Sequence, residues 1–335
     1  MQTNRERASE EVRTSETQSN RIDDFVSTRD TAHTLPELPL DAWKPTKMTL
    51  HLYAQIVGKI RLALNPQKNH WWHVPLYVSP RGLTTRTMPA GSRRIEIEFD
   101  LVDHNLLLRS SSGQSKAVSL YHGLSVAQFY RATMSSLAQL GVDVSIIAHP
   151  YDPGRVGSDL AFARDEVHAS YQVEYIERFR QILGWIDTVF EEFSVRFAGK
   201  SSPVHLFWHS FDLAYARFSG RAVPLDSGSI VDREAYSHEL ISFGFWAGDD
   251  NMPAPSFYSY TYPEPDGLAQ EPLAPGSAFW AETNGSHMAL LPYHDLRGSR
   301  DPAGDLLRFL QSAYLAGASR AGWDIQALRY RDLEE

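Results

Sequence analysis

The stretch VHLFWHSFDLAYARFSGR, residues 204–221, decides how the second half of the chain folds. It places His205, His209 and Asp212 within an otherwise aromatic and aliphatic run. A helix would bring these side chains towards one face, where they could bind a metal ion. A strand would hold the two histidines about 13 Å apart, at roughly 3.3 Å per residue, too far for one ion to bind both. The presence of a metal site therefore depends on whether 204–218 is a helix or a strand.

A similar stretch in the first half, HWWHVPLYV at residues 70–78, favours the strand. Pro75 in its middle would break a helix, and its valines prefer an extended backbone. If the two halves share a fold, 204–218 is also a strand. We therefore predict that this stretch binds no metal.

The two halves repeat one order of predicted elements: a helix, a strand with histidines and aromatic residues, a hairpin, a strand and a helix. The pairs Tyr121-His122 and Tyr293-His294 occupy the same predicted corner between a strand and a helix. Chance similarity between short stretches is the alternative to a duplication. The repeat predicts an α+β fold of two αββββα-like halves in a pseudo-twofold arrangement, with antiparallel sheets covered by helices.

The predicted organisation follows from composition and periodicity. The predicted regions are a disordered tail (1–34), a first α+β half (35–150) and a second half packed on it (151–325). The predicted helices are 48–64, 125–141 (capped by Ser125), 167–197 and 301–323. The predicted strands are 70–78, a hairpin within 93–111, 116–121, 142–150, 204–218, 236–246, 256–262, 278–282 and 287–292.

The composition excludes several classes of protein. The chain of 335 residues contains no cysteine, which removes disulfides, zinc-thiolate sites, iron–sulfur clusters and a cysteine nucleophile. Its net charge of −9 argues against nucleic-acid binding. No apolar run approaches the roughly 20 residues of a membrane span, and the first residues do not read as a secretory signal. We expect a cytoplasmic protein that associates with neither nucleic acid nor membrane.

Long motifs resemble those of a bacterial family catalogued only as a domain of unknown function. The similar segments are FWHSFDLAYARFSGR, EAYSHELISFGFW and FYSYTYPEP, together with TLHLYAQIVGKIRLAL and NHWWHVPLYVSPRGLTT nearer the start. The resemblance spans nearly all of 36–325 and implies no activity. Glycine stands in the family pattern where this chain has His209, which argues against a shared catalytic role for that histidine.

Asp212 and Arg217 are candidate substrate-binding residues on the predicted strand. Asp212 lies among large apolar neighbours, so we predict that it is mostly buried and bonded to an arginine or to backbone N–H groups. Arg217 or Arg221 would then form a structural ion pair or a clamp for a substrate carboxylate.

The other candidates are aromatic or titratable. Tyr258 and Tyr260 share a face of a predicted strand and suit a pocket wall, although a half-buried sheet face explains them nearly as well. Trp72 is a third aromatic candidate for substrate binding. The candidate acid–base residues are His73, His238 and Glu239. The last two are adjacent, so a regular strand would point them to opposite faces.

Two classes of function remain open. The first is a small-molecule enzyme with an aromatic, histidine-lined pocket that uses acid–base catalysis. The second is a non-catalytic small-molecule-binding or structural protein, in which the polar residues satisfy one another. The sequence specifies neither a cofactor nor an oligomeric state. A pocket that holds two titratable groups within hydrogen-bond reach would favour the enzyme.

Overall fold

A computed structural model describes residues 35–224, 229–283 and 285–330. The predicted tail, 1–34, lies outside the described residues. Within residues 35–150 the structure has two helices and six strands. In chain order they are α1 (Leu40–Leu64), β1 (Tyr77–Ser79), β2 (Gly82–Thr84), β3 (Met88–Ala90), β4 (Arg93–Asp100), β5 (Asn105–Ser110), β6 (Ser115–Ser119) and α2 (Val126–Gln139).

Two helices, α3 (Pro153–Val156) and α4 (Val173–Ser194), lead into the second half. It continues with β7 (His205–Phe207), β8 (Asp212–Ala222), α5 (Ile230–Ala235), β9 (His238–Trp246), β10 (Ser256–Tyr262), β11 (Phe279–Thr283), β12 (Ser286–Pro292), α6 (Tyr293–Arg297) and α7 (Pro302–Arg320). Short 3-10 helices are Asn69–Trp71, Phe162–Arg164 and Leu268–Gln270.

In the described part of the chain the strands form two antiparallel sheets of six strands each, so the predicted α+β fold is confirmed. The first sheet has the order β1-β2-β4-β5-β6, with β3 paired to β4, and the second has the order β7-β8-β9-β10-β12-β11. The predicted hairpin within 93–111 is β4 and β5. Ser125 caps α2 through a capping box, as predicted. Each sheet has six strands where the repeat predicts four, because short strands such as β2 and β3 carry little periodicity.

Helix α1 joins the two halves. It is buried at every position from Thr49 to Arg61, which a helix on a protein surface is not. On one side Tyr53 stacks on Phe129 of α2, with ring centroids 4.0 Å apart. On the other side Gly58 touches the Trp208 ring so closely that a Cβ there would lie 2.1 Å from the ring. Helix α1 therefore packs against α2 on one side and against the β7–β8 turn on the other.

The two sheets meet at their edge strands. Leu76, just before β1, and Leu206 in β7 exchange two backbone hydrogen bonds of 2.9 and 2.8 Å. Such a reciprocal antiparallel pair is what a local twofold axis between two sheets would generate. The Tyr121-His122 and Tyr293-His294 corners differ in burial, since Tyr121 is 52% exposed and Tyr293 only 2% exposed. The duplication and the bounds of the two halves stay predictions.

The stretch 204–218 forms two strands joined by a turn, and not one continuous strand. β7 and β8 form a hairpin, and the residues between them, Trp208 to Phe211, make the turn. Phe211 has a φ of 63°, and its ring stacks on His51 at 4.8 Å. Nε2 of His51 lies 2.9 Å from the Trp208 carbonyl oxygen. Tertiary contacts with α1 hold this turn, in which Ser210 is the single residue of a type that marks turns in a sequence.

Two further predicted strands are wrong. The start of 70–78 is a 3-10 helix, in which His70 and Trp71 have φ values of 53° and 59°. Contacts with α5 hold it there: the His70 backbone N–H donates to Glu234 at 3.0 Å, and Trp71 Nε1 donates to the Val231 carbonyl at 3.1 Å. The predicted strand 142–150 is irregular, without strand pairing.

Candidate functional site

The second sheet has one face covered by helices and one face that forms a cleft. Phe193 of α4 packs on Phe243 of β9 at 5.1 Å, and Gly317 of α7 lies against Thr261 and Ile241. The opposite face lines a cleft of about 850 Å³, here named the Asp212 cleft. Because side chains alternate along a strand, the residues of β8, β9 and β10 divide between these two faces.

Small residues make the floor of the Asp212 cleft. Ala214 pairs with Gly244 across β8 and β9, and Ala216 pairs with Ser242. Larger aromatic residues surround this floor and line the cleft; they include Trp72, Trp208, Trp246, Tyr258 and Tyr260. A flat floor with aromatic walls suits a planar or sugar-like ligand.

Asp212 is the carboxylate of this cleft. It is the first residue of β8 and is 7% exposed. Ser210 and Tyr258 each donate a hydroxyl hydrogen bond to it, one to each carboxylate oxygen. Within the described residues no lysine, arginine or histidine forms an ion pair with Asp212. The predicted burial is therefore confirmed, whereas the predicted arginine or backbone partner and the position in mid-strand are wrong.

The contact between Tyr258 and Asp212 depends on a glycine. Tyr258 lies opposite Gly244, and its ring crosses β9 to reach the carboxylate. A Cβ on Gly244 would lie 2.3 Å from the tyrosine hydroxyl oxygen. Burial, together with the Asp212 charge, raises the pKa of Tyr258 well above its ordinary value, so the phenol remains a donor.

Replacing Gly244 with alanine should displace the Tyr258 ring and break its hydrogen bond to Asp212. We expect a loss of about 1–3 kcal/mol in the free energy of unfolding, the usual cost of overpacking. Gly184 is the matched control, because it lies in α4 with no atom within 4 Å of a built Cβ. Gly184→Ala should keep or raise stability. Urea denaturation measures both, and equal effects of the two substitutions would contradict the role of Gly244.

Two histidines line the cleft near Asp212. Burial lowers the pKa of His209, although the Asp212 charge opposes the shift. Burial lowers the pKa of His205 to about 3, with Arg61 and Arg86 contributing, so its ring is neutral at pH 7. Nδ1 of His205 is buried and has no hydrogen-bond partner among the described residues.

The far end of the cleft contains a second polar group. His70 lines it, with Nδ1 3.2 Å from the Ala235 carbonyl oxygen and Nε2 2.6 Å from Nζ of Lys200. The Tyr236 and Tyr260 hydroxyl oxygens lie 3.3 Å apart on the same wall. The two ends of the cleft therefore differ in chemistry.

The structure brings only some of the sequence-predicted residues to the cleft. Asp212, Tyr258, Tyr260 and Trp72 line it. His238 lies beside it, with its ring 5.4 Å from that of His70.

His73 and Glu239 lie away from the cleft. Nδ1 of His73 accepts the Lys68 backbone N–H at 3.1 Å. Oε2 of Glu239 accepts from Ser219, Arg221 and Trp323 on the helix-covered side, so His238 and Glu239 do point to opposite faces. The geometry gives His73 and Glu239 no contact with a ligand in this cleft.

Arg217 also lies on the covered face. It is 1% exposed and donates to the Phe193 carbonyl at the end of α4, at 2.6 Å. Its guanidinium carbon is 3.6 Å from the centre of the Phe193 ring. Arg217 therefore stabilises a helix end and does not pair with Asp212.

Sequence reasoning missed the residues that complete the site. Ser210 precedes Asp212 by two positions, and this Ser-x-Asp pair was the available signal. Gly244 and Lys200 gave no signal, because their roles depend on residues distant in the chain. No three histidine, aspartate or glutamate side chains come together as a metal-binding group in the described part of the chain.

Comparisons with known proteins give a family and no activity. None of the described helices combines the length and apolar composition that a membrane span requires. No curated protein and no solved structure matches the chain. A model of a protein family matches residues 35–330, nearly all of the described chain. The chain therefore belongs to a family of unknown function, DUF5996.

Proposed function

We propose that the protein is an enzyme that acts on a small organic molecule in the Asp212 cleft, with Asp212 as the proton acceptor. The observation that carries this proposal is a carboxylate only 7% exposed, bonded to two hydroxyls and to no cation of the described residues. A buried carboxylate is costly unless it is well bonded. A donor group on a ligand would supply the missing partner.

The two hydroxyl donors fix the direction of the carboxylate. An ionised carboxylate offers about four lone-pair sites, and Ser210 and Tyr258 use one on each oxygen. The remaining sites are free to accept a proton or a hydrogen bond from a ligand. Tyr258 stays protonated because its pKa is raised, so it holds Asp212 in place and does not compete for the proton.

The walls and floor favour a ligand with a flat ring. Ala216 and Ser242 leave room above β8 and β9, and Tyr258 and Tyr260 stack alongside with centroids 6.2 Å apart. A cleft of about 850 Å³ falls within the range of small-molecule sites. We therefore expect an aromatic or sugar-like molecule that carries an amine or hydroxyl donor for Asp212.

The alternative is a protein that binds such a molecule without changing it. One observation favours it: both ring nitrogens of His70 contact protein groups, and the Tyr236 and Tyr260 hydroxyls face each other. Polar groups that hydrogen-bond to one another help to shape a binding site, but they are less available for proton transfer to a ligand. Turnover separates the two functions, because a binding protein returns its ligand unchanged.

A variant that fills the cleft tests the site. Ala216 lines the cleft floor, so Ala216→Leu should exclude the ligand with little effect on the fold. Ala117 is the matched control, because it is exposed on β6 of the other sheet. We would screen aromatic and sugar-like amines and alcohols for thermal stabilisation of the protein. A ligand at 100 times its Kd should stabilise the wild type and Ala117→Leu by about 2.7 kcal/mol.

Ala216→Leu should lose this stabilisation. Mass spectrometry of the incubated ligand then reports turnover. The proposal of a site in this cleft fails if every compound that stabilises the wild type stabilises Ala216→Leu equally. It also fails if no compound of these classes stabilises the wild type.

A further inference from the structure

Lys200 contacts a histidine ring at the far end of the cleft. The chain has six lysines, which are Lys44, Lys47, Lys59, Lys68, Lys116 and Lys200. Nζ of Lys200 lies 2.6 Å from Nε2 of His70, within hydrogen-bond distance. Enzymes activate Ser, Cys and Thr nucleophiles by pairing them with a base, and they activate lysine by lowering its pKa. The contact between Lys200 and His70 has the geometry of the first arrangement.

The His70 ring is held in one tautomer. Its Nδ1 lies 3.2 Å from the Ala235 carbonyl oxygen, which can only accept, so Nδ1 carries the proton. Nε2 is therefore the acceptor that faces Lys200. The backbone also fixes the residue, since its N–H donates to Glu234 and its φ is 53°. Burial lowers the pKa of His70, so the ring is neutral and the lone pair of Nε2 faces Lys200.

Burial favours a neutral amine at Lys200, whereas the aromatic faces near its Nζ attract the charged form. Its Nζ lies 5.5 Å from the centre of the Trp72 ring and 5.0 Å from that of Phe218. Burial lowers the pKa of Lys200, and the charge of Glu234 opposes this shift. A lysine desolvated by aromatic rings is a better nucleophile at neutral pH than one in water.

Lys200 lies beside the end of the cleft that is far from Asp212, and it is not itself a lining residue. His70, Trp72 and Phe218, which surround its Nζ, all line the cleft. Phe218 is six residues along β8 from Asp212, about 20 Å at roughly 3.3 Å per residue. The lysine is thus a second reactive centre, and its chemistry does not require Asp212 to be a proton acceptor.

We propose that Lys200 is a nucleophile that forms an imine with the carbonyl group of an aldehyde or ketone, with His70 as its base. The ammonium first passes a proton to Nε2 of His70. The amine nitrogen then bonds to the carbonyl carbon, and the carbonyl oxygen takes up a proton from that nitrogen to give a carbinolamine. The C–O bond breaks as the hydroxyl leaves with the proton from His70, giving water and a protonated C=N bond. Nothing is oxidised or reduced.

Reductive trapping tests this proposal with benzaldehyde as the carbonyl probe. The intact protein is incubated with benzaldehyde and sodium cyanoborohydride at pH 7, and benzylated lysines are located by peptide mass spectrometry. Burial lowers the pKa of both amines, so the difference should come from the base: Lys200 should be labelled at least about tenfold faster than Lys59, because a positioned base contributes about 10²–10⁴-fold. Lys59 is the matched control because it also lines the cleft and lies over a tryptophan, Trp208, but has no imidazole beside it.

A substitution of His70 tests its role as the base. A pH series on the wild type is a second test, which does not depend on the folding of the variant. His70→Asn tolerates the positive φ and should slow labelling of Lys200 by about 100-fold or more. In the wild type, labelling of Lys200 should decline at a lower pH than labelling of the exposed Lys68. Equal labelling of all lysines would overturn the proposal. So would labelling of Lys200 that follows the pH dependence of Lys68.

Discussion

Asp212→Asn should abolish most of the activity on the ligand of the cleft while the protein remains folded. The amide keeps the shape of the carboxylate and still accepts from Tyr258, and the Ser210 hydroxyl can rotate to meet it. Asparagine cannot accept a proton at neutral pH. Since a positioned acid or base contributes about 10²–10⁴-fold, we expect turnover to fall by that factor. Turnover of a ligand identified by thermal stabilisation measures the effect.

Glu239→Gln is the matched control for the Asp212 substitution. Both changes turn a carboxylate into an amide, but Glu239 lies on the helix-covered side with Ser219 and Arg221. Turnover by the Glu239→Gln variant should equal that of the wild type. If Glu239→Gln lost activity and Asp212→Asn kept it, the sequence-based prediction of Glu239 as an acid–base residue would be right. The proposed role of the Asp212 cleft would then be wrong.

Arg217→Ala should destabilise the protein by about 3–5 kcal/mol. The molecules that remain folded should bind the ligand as the wild type does. The substitution removes a side-chain donor from the Phe193 carbonyl at the end of α4, and leaves this carbonyl with the Arg196 backbone N–H at 3.4 Å. It also leaves a cavity among Phe193 and Tyr314, whose ring centres lie 3.6 and 4.6 Å from the guanidinium carbon. Chemical denaturation measures the loss.

Arg217→Met separates packing from the hydrogen bond. Methionine fills much of the same space but donates nothing, so its cost should be smaller than that of alanine. The sequence left two roles open for Arg217: a structural ion pair, or a clamp that would assign it to a substrate carboxylate. A variant Arg217→Ala that unfolds like the wild type but no longer binds the ligand would support that assignment over the structure.

Much of the fold follows from local patterns. Alternation of apolar residues predicts the β4–β5 hairpin, and Ser125 together with Gly141 predicts both ends of α2. These elements are predictable because the residues that specify them are neighbours in the chain. The face shared by Tyr258 and Tyr260 is also a property of one strand.

The rest depends on contacts that periodicity does not contain. The turn at Trp208 to Phe211 is held by His51 of α1, and the HWWH segment is held by α5. These contacts override the strand preference of the residues in the two segments.

The same dependence on contacts between distant residues explains why the predicted partner of Asp212 was wrong. Asp212 lies on the face of β8 opposite to Arg217, so the nearest arginine in the sequence was the wrong partner. One of its two actual partners, Tyr258, lies two strands away and reaches it only because Gly244 has no side chain. Strand order, which the sequence did not reveal, decides which polar groups meet.

The crystal structure of the protein with a compound that stabilises it tests the central claim most directly. We predict that the ligand lies in the Asp212 cleft, above Ala216, with a donor atom within hydrogen-bond distance of the Asp212 carboxylate. A ligand bound outside this cleft, or one in the cleft that makes no polar contact with Asp212, would contradict the account.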